Sequence, residues 1–199
     1  MLNTTTYLPK LKEFEGSIPY MYLDTTNNVT VGVGDMLPNA AAAQKLAFEM
    51  RADAKAKPPI TVARAATADE IKADFDNVSK QAAGKVASHY KQFTKCDLPE
   101  TVIDTLLEAR VAEFKTGLIA AFPDYNQYPE EVCAALFDMA FNLGLGGLKK
   151  FLTLLRAVDS GDWATAAAQC HRMGIGDARN QATAALFLQA GVLTTGAGA

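Results

Sequence analysis

Tryptophan occurs once, histidine twice and cysteine three times in this chain of 199 residues. The two histidines, His89 and His171, stand alone, and no Cys-x-x-Cys pair or Cys/His cluster accompanies them. That excludes a structural zinc site and leaves both histidines as surface or helix-face residues. The cysteines, Cys96, Cys133 and Cys170, are too sparse for a disulfide framework, and Cys133 and Cys170 sit in apolar runs where a free thiol acts as a small core residue. No hydrophobic run approaches the roughly 20 residues of a membrane span. The opening MLNTTTYLPKLKEFEG lacks the charged-then-apolar order of a signal peptide, so synthesis in the cytosol is expected. Charge of one sign is also scarce: 19 basic and 22 acidic residues leave a net −3, which argues against a nucleic-acid partner. What is abundant is alanine, 35 residues. Alanine is the best helix former, so a mostly helical domain large enough to bury a core is the first expectation.

The pattern along the chain refines this. Leu8, Leu11 and Glu15 share one face of a short first helix that Gly16 ends. Tyr20–Leu23 and Val29–Val33 read as strands, joined by the turn-forming Asp24-Thr25-Thr26-Asn27-Asn28. Asn39 caps a helix expected over 40–55, and Lys57-Pro58-Pro59-Ile60 breaks the chain. Thr67-Ala-Asp-Glu70 reads as a capping box opening a long helix with Ile71, Phe75, Val78, Ala82 and Val86 on one face. Asp97-Leu-Pro-Glu100 starts a helix to about Ala121, and Pro129-Glu130-Glu131 starts another. The latter, VCAALFDMAFNL, is apolar on nearly every side and should be the central buried helix. Gly144 to Gly147 turns the chain, helices follow over 148–158, 163–172 and 177–189, and residues 191–199 form a loose tail.

Chemistry concentrates in the first 35 residues. Glu15 lies within about 20° of Leu8 and 40° of Leu11 on a helical wheel, on the inward face. It also occupies the last helical turn, where the dipole disfavours an anion. Both effects favour the neutral carboxyl that a general acid requires. Glu13 faces solvent and is the next candidate for that role. Asp24 ends the first strand, either as a turn-starting aspartate or as a working carboxylate. Thr30, Gly32 and Gly34 share one face of the second strand, which leaves the backbone open to a ligand or marks a bend. An inward acid, a turn carboxylate and a hydroxyl beside an open strand suggest the paired carboxylates of glycoside hydrolysis.

Glu15-Gly16, Tyr22-Leu23-Asp24 and Thr30-Val31-Gly32-Val33-Gly34 resemble the E-G, Y-x-D, T-x-G-x-G signature of the phage-type lysozymes, glycoside hydrolase family 24. Ala134 to Gly144 resembles the family's buried central helix, and Trp163 to Ala168 and Arg179 to Phe187 resemble the elements after it. The resemblance implies Glu15 as general acid, Asp24 as base or polariser of the attacking water, and Thr30 as a holder of that water. It implies substrate contacts at Tyr22, Gly32 and Asn142, and Arg179 as a supporting partner of the catalytic glutamate. It breaks at Asp35, where the family carries histidine, and at two apparent insertions, 55–66 and 98–121.

The expectation is therefore a mostly α, α+β lysozyme-like fold of two lobes, a small β-hairpin lobe over 1–66 and a helical lobe over 95–190. A connecting helix would span 67–94, with the lobes meeting across a cleft. The expected activity is inverting hydrolysis of peptidoglycan, needing no metal or organic cofactor. The partners are peptidoglycan glycan strands and, for a delivered antibacterial effector, bacteriocin domain or endolysin, a delivery machinery or immunity protein. A monomer acting in the periplasm or wall of a bacterium is expected. The competing reading is a catalytically inactive wall-binding or protein-interaction module, against which the intact Glu15, Asp24 and Thr30 stand.

Overall fold

The computed structural model describes residues 11–53 and 55–196. The chain is mostly α-helical with small antiparallel sheets and divides into two units. One is Glu15–Glu108; the other combines Met1–Phe14 with Ala109–Ala199.

Residues 11–15 are helical (α1), and the chain leaves that helix at Gly16 with φ 77. In the Glu15–Glu108 unit, β1 (Ile18–Leu23), β2 (Val29–Gly32) and β3 (Asp35–Met36) form an antiparallel sheet in sequence order. The hairpin expected from the alternation of Val29, Val31 and Val33 is present, with those valines buried. The register of β1 shifts between Ile18 and Tyr22, an irregularity that the alternation did not signal.

The helix expected over 40–55 is instead four residues long, α2 (Ala40–Ala43). Asn39 caps it as expected, its side chain accepting from the Ala42 amide at 2.9 Å. The chain then becomes β4 (Glu49–Met50), which pairs with β5 (Arg64–Ala65) and β6 (Cys96–Asp97). Phe48 and Met50 are buried while Glu49 is exposed, so period-two burial overrides the helix propensity of the alanines before it. The capping box is fully formed at α3 (Ala68–Ser79), with Thr67 and Glu70 satisfying each other's backbone amides. The expected helix over residues 67–94 nevertheless stops at Ser79, and Val86 is exposed rather than buried. The fully buried Tyr90, on α4 (Ala87–Tyr90), donates its hydroxyl to the Ala82 carbonyl at 2.9 Å. That takes an acceptor which a continuing helix would have used, and Gly84 follows two residues later with φ 75.

The long helix is α5 (Glu100–Ala121), opened where Asp97-Leu-Pro-Glu100 placed its start. Ile103, Leu107, Val111 and Leu118 lie buried along one face as it carries the chain from one unit into the other. In the second unit, α6 (Glu130–Leu148) is the central helix, with every residue from Val132 to Ala140 buried. By length and composition it could cross a membrane, but this burial marks it as a core helix. It does not end at Gly144 but kinks there, at φ 71 and ψ 159, a conformation open to glycine. Then come α7 (Leu152–Ser160), α8 (Trp163–Gln169) and α9 (Asp177–Gly196). Residues 191–196 of the expected loose tail thus continue the last helix. All three cysteines are buried and free.

Replacing Thr67 by Ala removes the α3 cap, and a loss of about 1 kcal/mol is expected. Urea unfolding read by circular dichroism measures it, and Thr67→Ser should recover most of the loss.

Candidate active site

The turn between β1 and β2 is built by Asp24. Its Oδ1 accepts from the Thr26 amide at 2.8 Å, the Thr26 hydroxyl at 2.9 Å and the Asn28 amide at 2.8 Å. Backbone bonds between Asp24 and Asn28, and from Asn27 back to Asp24, close the loop, and Asn27 takes the left-handed conformation at φ 67. Asp24 is thus the turn-starter, and its carboxylate stands at the end of β1. Partial burial pushes its pKa up, but the bonds from Asn28 and Thr26 outweigh this and hold it below the ordinary carboxylate range. Oδ1 is the crowded oxygen, whereas Oδ2 has the Asn28 Nδ2 at 3.5 Å.

Asn28 also links Asp24 to Thr30, whose hydroxyl donates to the Asn28 carbonyl at 3.1 Å. Its two neighbours thus share one anchor, which the sequence reading missed. Asn28 reads as one more turn former, and the hydrogen bonds of the structure reveal the connection. Thr30 pairs with Tyr22 on β1 and with Met36 on β3, and directly opposed residues share a face. Tyr22 is half-buried and Met36 exposed, but Thr30 is 2% exposed. The open strand surface expected around Thr30 and Gly32 is therefore not open. Gly32 has φ 66, and a Cβ there would meet Asp35 Oδ2 at 3.0 Å and Ile103 Cγ2 at 3.5 Å. Its missing side chain makes room for a bend and for these neighbours.

Glu15 is exposed, not inward. The wheel puts it with the fully buried Leu11, but the helix ends at Glu15 itself and Gly16 turns the backbone away. No further helical turn packs over that side chain. The Leu8 used in the same wheel lies outside the described residues.

In the other unit the helices meet at a buried ionic cluster centred on Asp138 of α6. Asp138 Oδ1 accepts from Arg179 Nε at 3.0 Å and Nη2 at 2.9 Å. Oδ2 accepts from Arg172 Nη2 at 2.7 Å and the Thr183 hydroxyl at 2.9 Å. Asn180 exchanges two bonds with the Arg172 backbone, at 2.9 and 3.0 Å. Asp138, Arg172, Thr183, Asn180 and Arg179 are all buried. Burial raises the Asp138 pKa, yet Arg179 and Arg172 more than offset it and leave the carboxyl below its ordinary range. Arg179 also lies over the Phe14 ring at 5.3 Å. It is no ordinary surface arginine, and Asp138 is an acidic partner that the sequence reading did not foresee. A charge inside the most apolar helix was the available signal, since such a group must be paired. Asn142 sits half-buried on α6, two residues before the kink.

Residues 89–188, half of the chain, match the phage lysozyme family. The chain belongs to that family. Membership places this phage lysozyme relative among peptidoglycan hydrolases and accounts for its mostly α, lysozyme-like fold. The matched residues include Asp138, Asn142, Arg172 and Arg179 but not Glu15, Asp24 or Thr30. No curated protein matches this family member.

Asp138→Asn leaves two buried arginines short of a counter-charge, and a loss of about 3–5 kcal/mol is expected at neutral pH. The wild-type Asp138 contribution is present above the unfolded carboxylate pKa of about 3.9 and drains as pH falls through the lower folded value. Urea unfolding as a function of pH should show that acid loss in the wild type and a flatter profile in the variant.

Proposed function

We propose that the chain is an N-acetylmuramidase. It cleaves the β-1,4 bond between N-acetylmuramic acid and N-acetylglucosamine by single displacement with inversion. The observation that carries this reading is the Asp24–Asn28–Thr30 arrangement. Asp24 Oδ1 is saturated by the turn, so Oδ2 is the oxygen left for a water. Thr30 is 2% exposed; its hydroxyl spends its proton on Asn28 and keeps lone pairs that a single enclosed water, though not a sugar ring, can reach. A water giving one hydrogen to Asp24 and the other to Thr30 turns its own lone pair outward as a nucleophile.

Glu15, exposed at the end of α1, then protonates the leaving glycosidic oxygen. As the C–O bond breaks, water adds to the anomeric carbon from the opposite face and its proton passes to Asp24. Inversion requires room for that water between the two carboxyls. Two carboxyl groups and one water balance the reaction. Tyr22, next to Thr30 on the sheet, is read as a substrate contact. The roles of Asn142 in substrate binding and of Arg179 in support rest on the family resemblance alone.

The chain carries net charge −3, so electrostatic attraction does little to bring it to an anionic wall. That supports a delivered enzyme, such as an antibacterial effector, a bacteriocin domain or an endolysin, acting in the periplasm or wall after release. An immunity protein in the producing cell fits the first two cases.

Glu15→Gln should lower the release of reducing ends from purified peptidoglycan by about 10²–10⁴-fold with unchanged thermal stability. Asp24→Asn keeps the acceptor that builds the turn and should lose activity comparably. The first-formed reducing end should be the α-anomer. A folded wild type without activity would favour an inactive wall-binding module, and equal activity in Glu15→Gln would move the acid to Glu13. An initial β-anomer would mean retention and end the role given to Asp24.

A further inference from the structure

The segment that departs from the family pattern, residues 55–66, borders a groove of about 870 Å³ within the Glu15–Glu108 unit. Its walls are well built. On one side the Asp74 carboxylate accepts from the Lys95 and Cys96 amides, both at 2.8 Å, and pins β6. Arg51 reaches across to the Thr94 carbonyl and hydroxyl and pairs with Asp97 at 3.2 Å. On the other side Arg64 forms a two-pronged pair with Glu70, at 2.9 and 2.6 Å, which brings that carboxyl down to about 2. The loop between them is closed by backbone bonds joining Asp53 and Ile60 at 2.8 and 2.9 Å.

The groove is basic in a chain that is acidic. Arg51, Lys55, Lys57, Arg64 and Lys95 border it against Asp53 and Glu70, an excess of three positive charges. Both arginine forks are occupied, so the charges offered are the ammonium groups of Lys55, Lys57 and Lys95. All three are exposed, and among the described residues none pairs with an acid. Lysine is a point charge on a flexible stem and recognises charge density rather than the planar geometry of a fixed carboxylate. Between the charges the surface is apolar, from Pro58, Pro59 and the exposed Val62. Among the described residues no Phe, Tyr, Trp or His borders the groove, so these offer nothing on which a nucleic-acid base could stack.

We infer that this groove binds a polyol-phosphate polymer, a chain of phosphodiesters without bases such as poly(glycerol phosphate) carried on a cell wall. Three lysines neutralise successive phosphates while the proline surface packs on the polyol links. The groove would then hold the enzyme on an anionic wall that its net charge does not favour. The inference rests on the proposed wall substrate for where such a polymer is met, and on the groove alone for its binding.

Binding of purified poly(glycerol phosphate) by the full chain, measured by titration calorimetry in low salt, reads the groove without any turnover. The wild type should bind, and Lys55→Glu/Lys57→Glu/Lys95→Glu should bind at least tenfold more weakly at unchanged melting temperature. Lys55→Gln/Lys57→Gln/Lys95→Gln should fall between them, with the slope of log K against log salt flattened by about one per lysine removed. Absence of wild-type binding, or equal binding by the variants, overturns the inference. So does tighter binding of single-stranded DNA, or of lipopolysaccharide, than of the polyol phosphate. Hydrolysis of peptidoglycan stripped of attached polymers should be equal in wild type and variants. Loss of hydrolysis with binding intact counts against the muramidase reading alone, and loss of binding with hydrolysis intact against the groove alone.

Discussion

A buried carboxylate with two arginines around it is the constraint on which the helical unit depends. Asp138 accepts hydrogen bonds on both oxygens from Arg172, Arg179 and Thr183, and each of those groups is itself out of water. An ionised group in such surroundings is costly unless it is paired, so removing one partner leaves an uncompensated buried charge. The rest of α6 is apolar on nearly all sides and would accept neighbours in several rotational settings. The cluster favours the setting in which α9 and the residues after α8 bring Arg172, Arg179 and Thr183 to the same carboxylate. Burial of Val132 to Ala140 supplies most of the driving force, and the cluster supplies the address.

The hairpin in the other unit is organised differently. Its five-residue turn is held by bonds among Asp24, Thr26, Asn27 and Asn28, all local in sequence. A carboxylate fixed this way needs little from the core, and its bonding partners keep it ionised. One oxygen takes three of the turn's hydrogen bonds, and the other has only the Asn28 side chain at 3.5 Å. The Asn28 carbonyl of the same turn accepts from the Thr30 hydroxyl, so carboxylate and hydroxyl are positioned by one short stretch of backbone.

Charge, too, matters by placement rather than by sum. The net −3 of the chain hides a local excess of basic side chains around the groove near Lys55, Lys57 and Lys95, where the arginines are tied to Thr94, Asp97 and Glu70. Structure and recognition are divided between the two kinds of basic residue. Arginine's fork braces the walls, and lysine faces outward.

Much was legible in the sequence wherever the determinant is local. The capping box at Thr67, the Asp97-Leu-Pro-Glu100 start, the valine alternation of β2, the Asp24 turn and the apolar stretch of α6 each involve residues within a turn or two of one another. They formed where they were read. The failures lie where the deciding partner is distant. The helix expected over 40–55 yields to a strand because β5 and β6 offer it hydrogen bonds from far along the chain. The helix from Thr67 stops at Ser79, and beyond it the Ala82 carbonyl is taken by Tyr90, eight residues on. Thr30 is buried, and Asp35 and Ile103 stand against Gly32, which no period-two pattern could reveal. The sequence by itself determined the helical class, the hairpin, the motif residues and the burial of α6, because propensity, capping and periodicity act over a few residues. Tertiary structure alone decided how Asp138 is paired, which strand face is closed and where the lysines gather, because those depend on contacts between residues tens of positions apart.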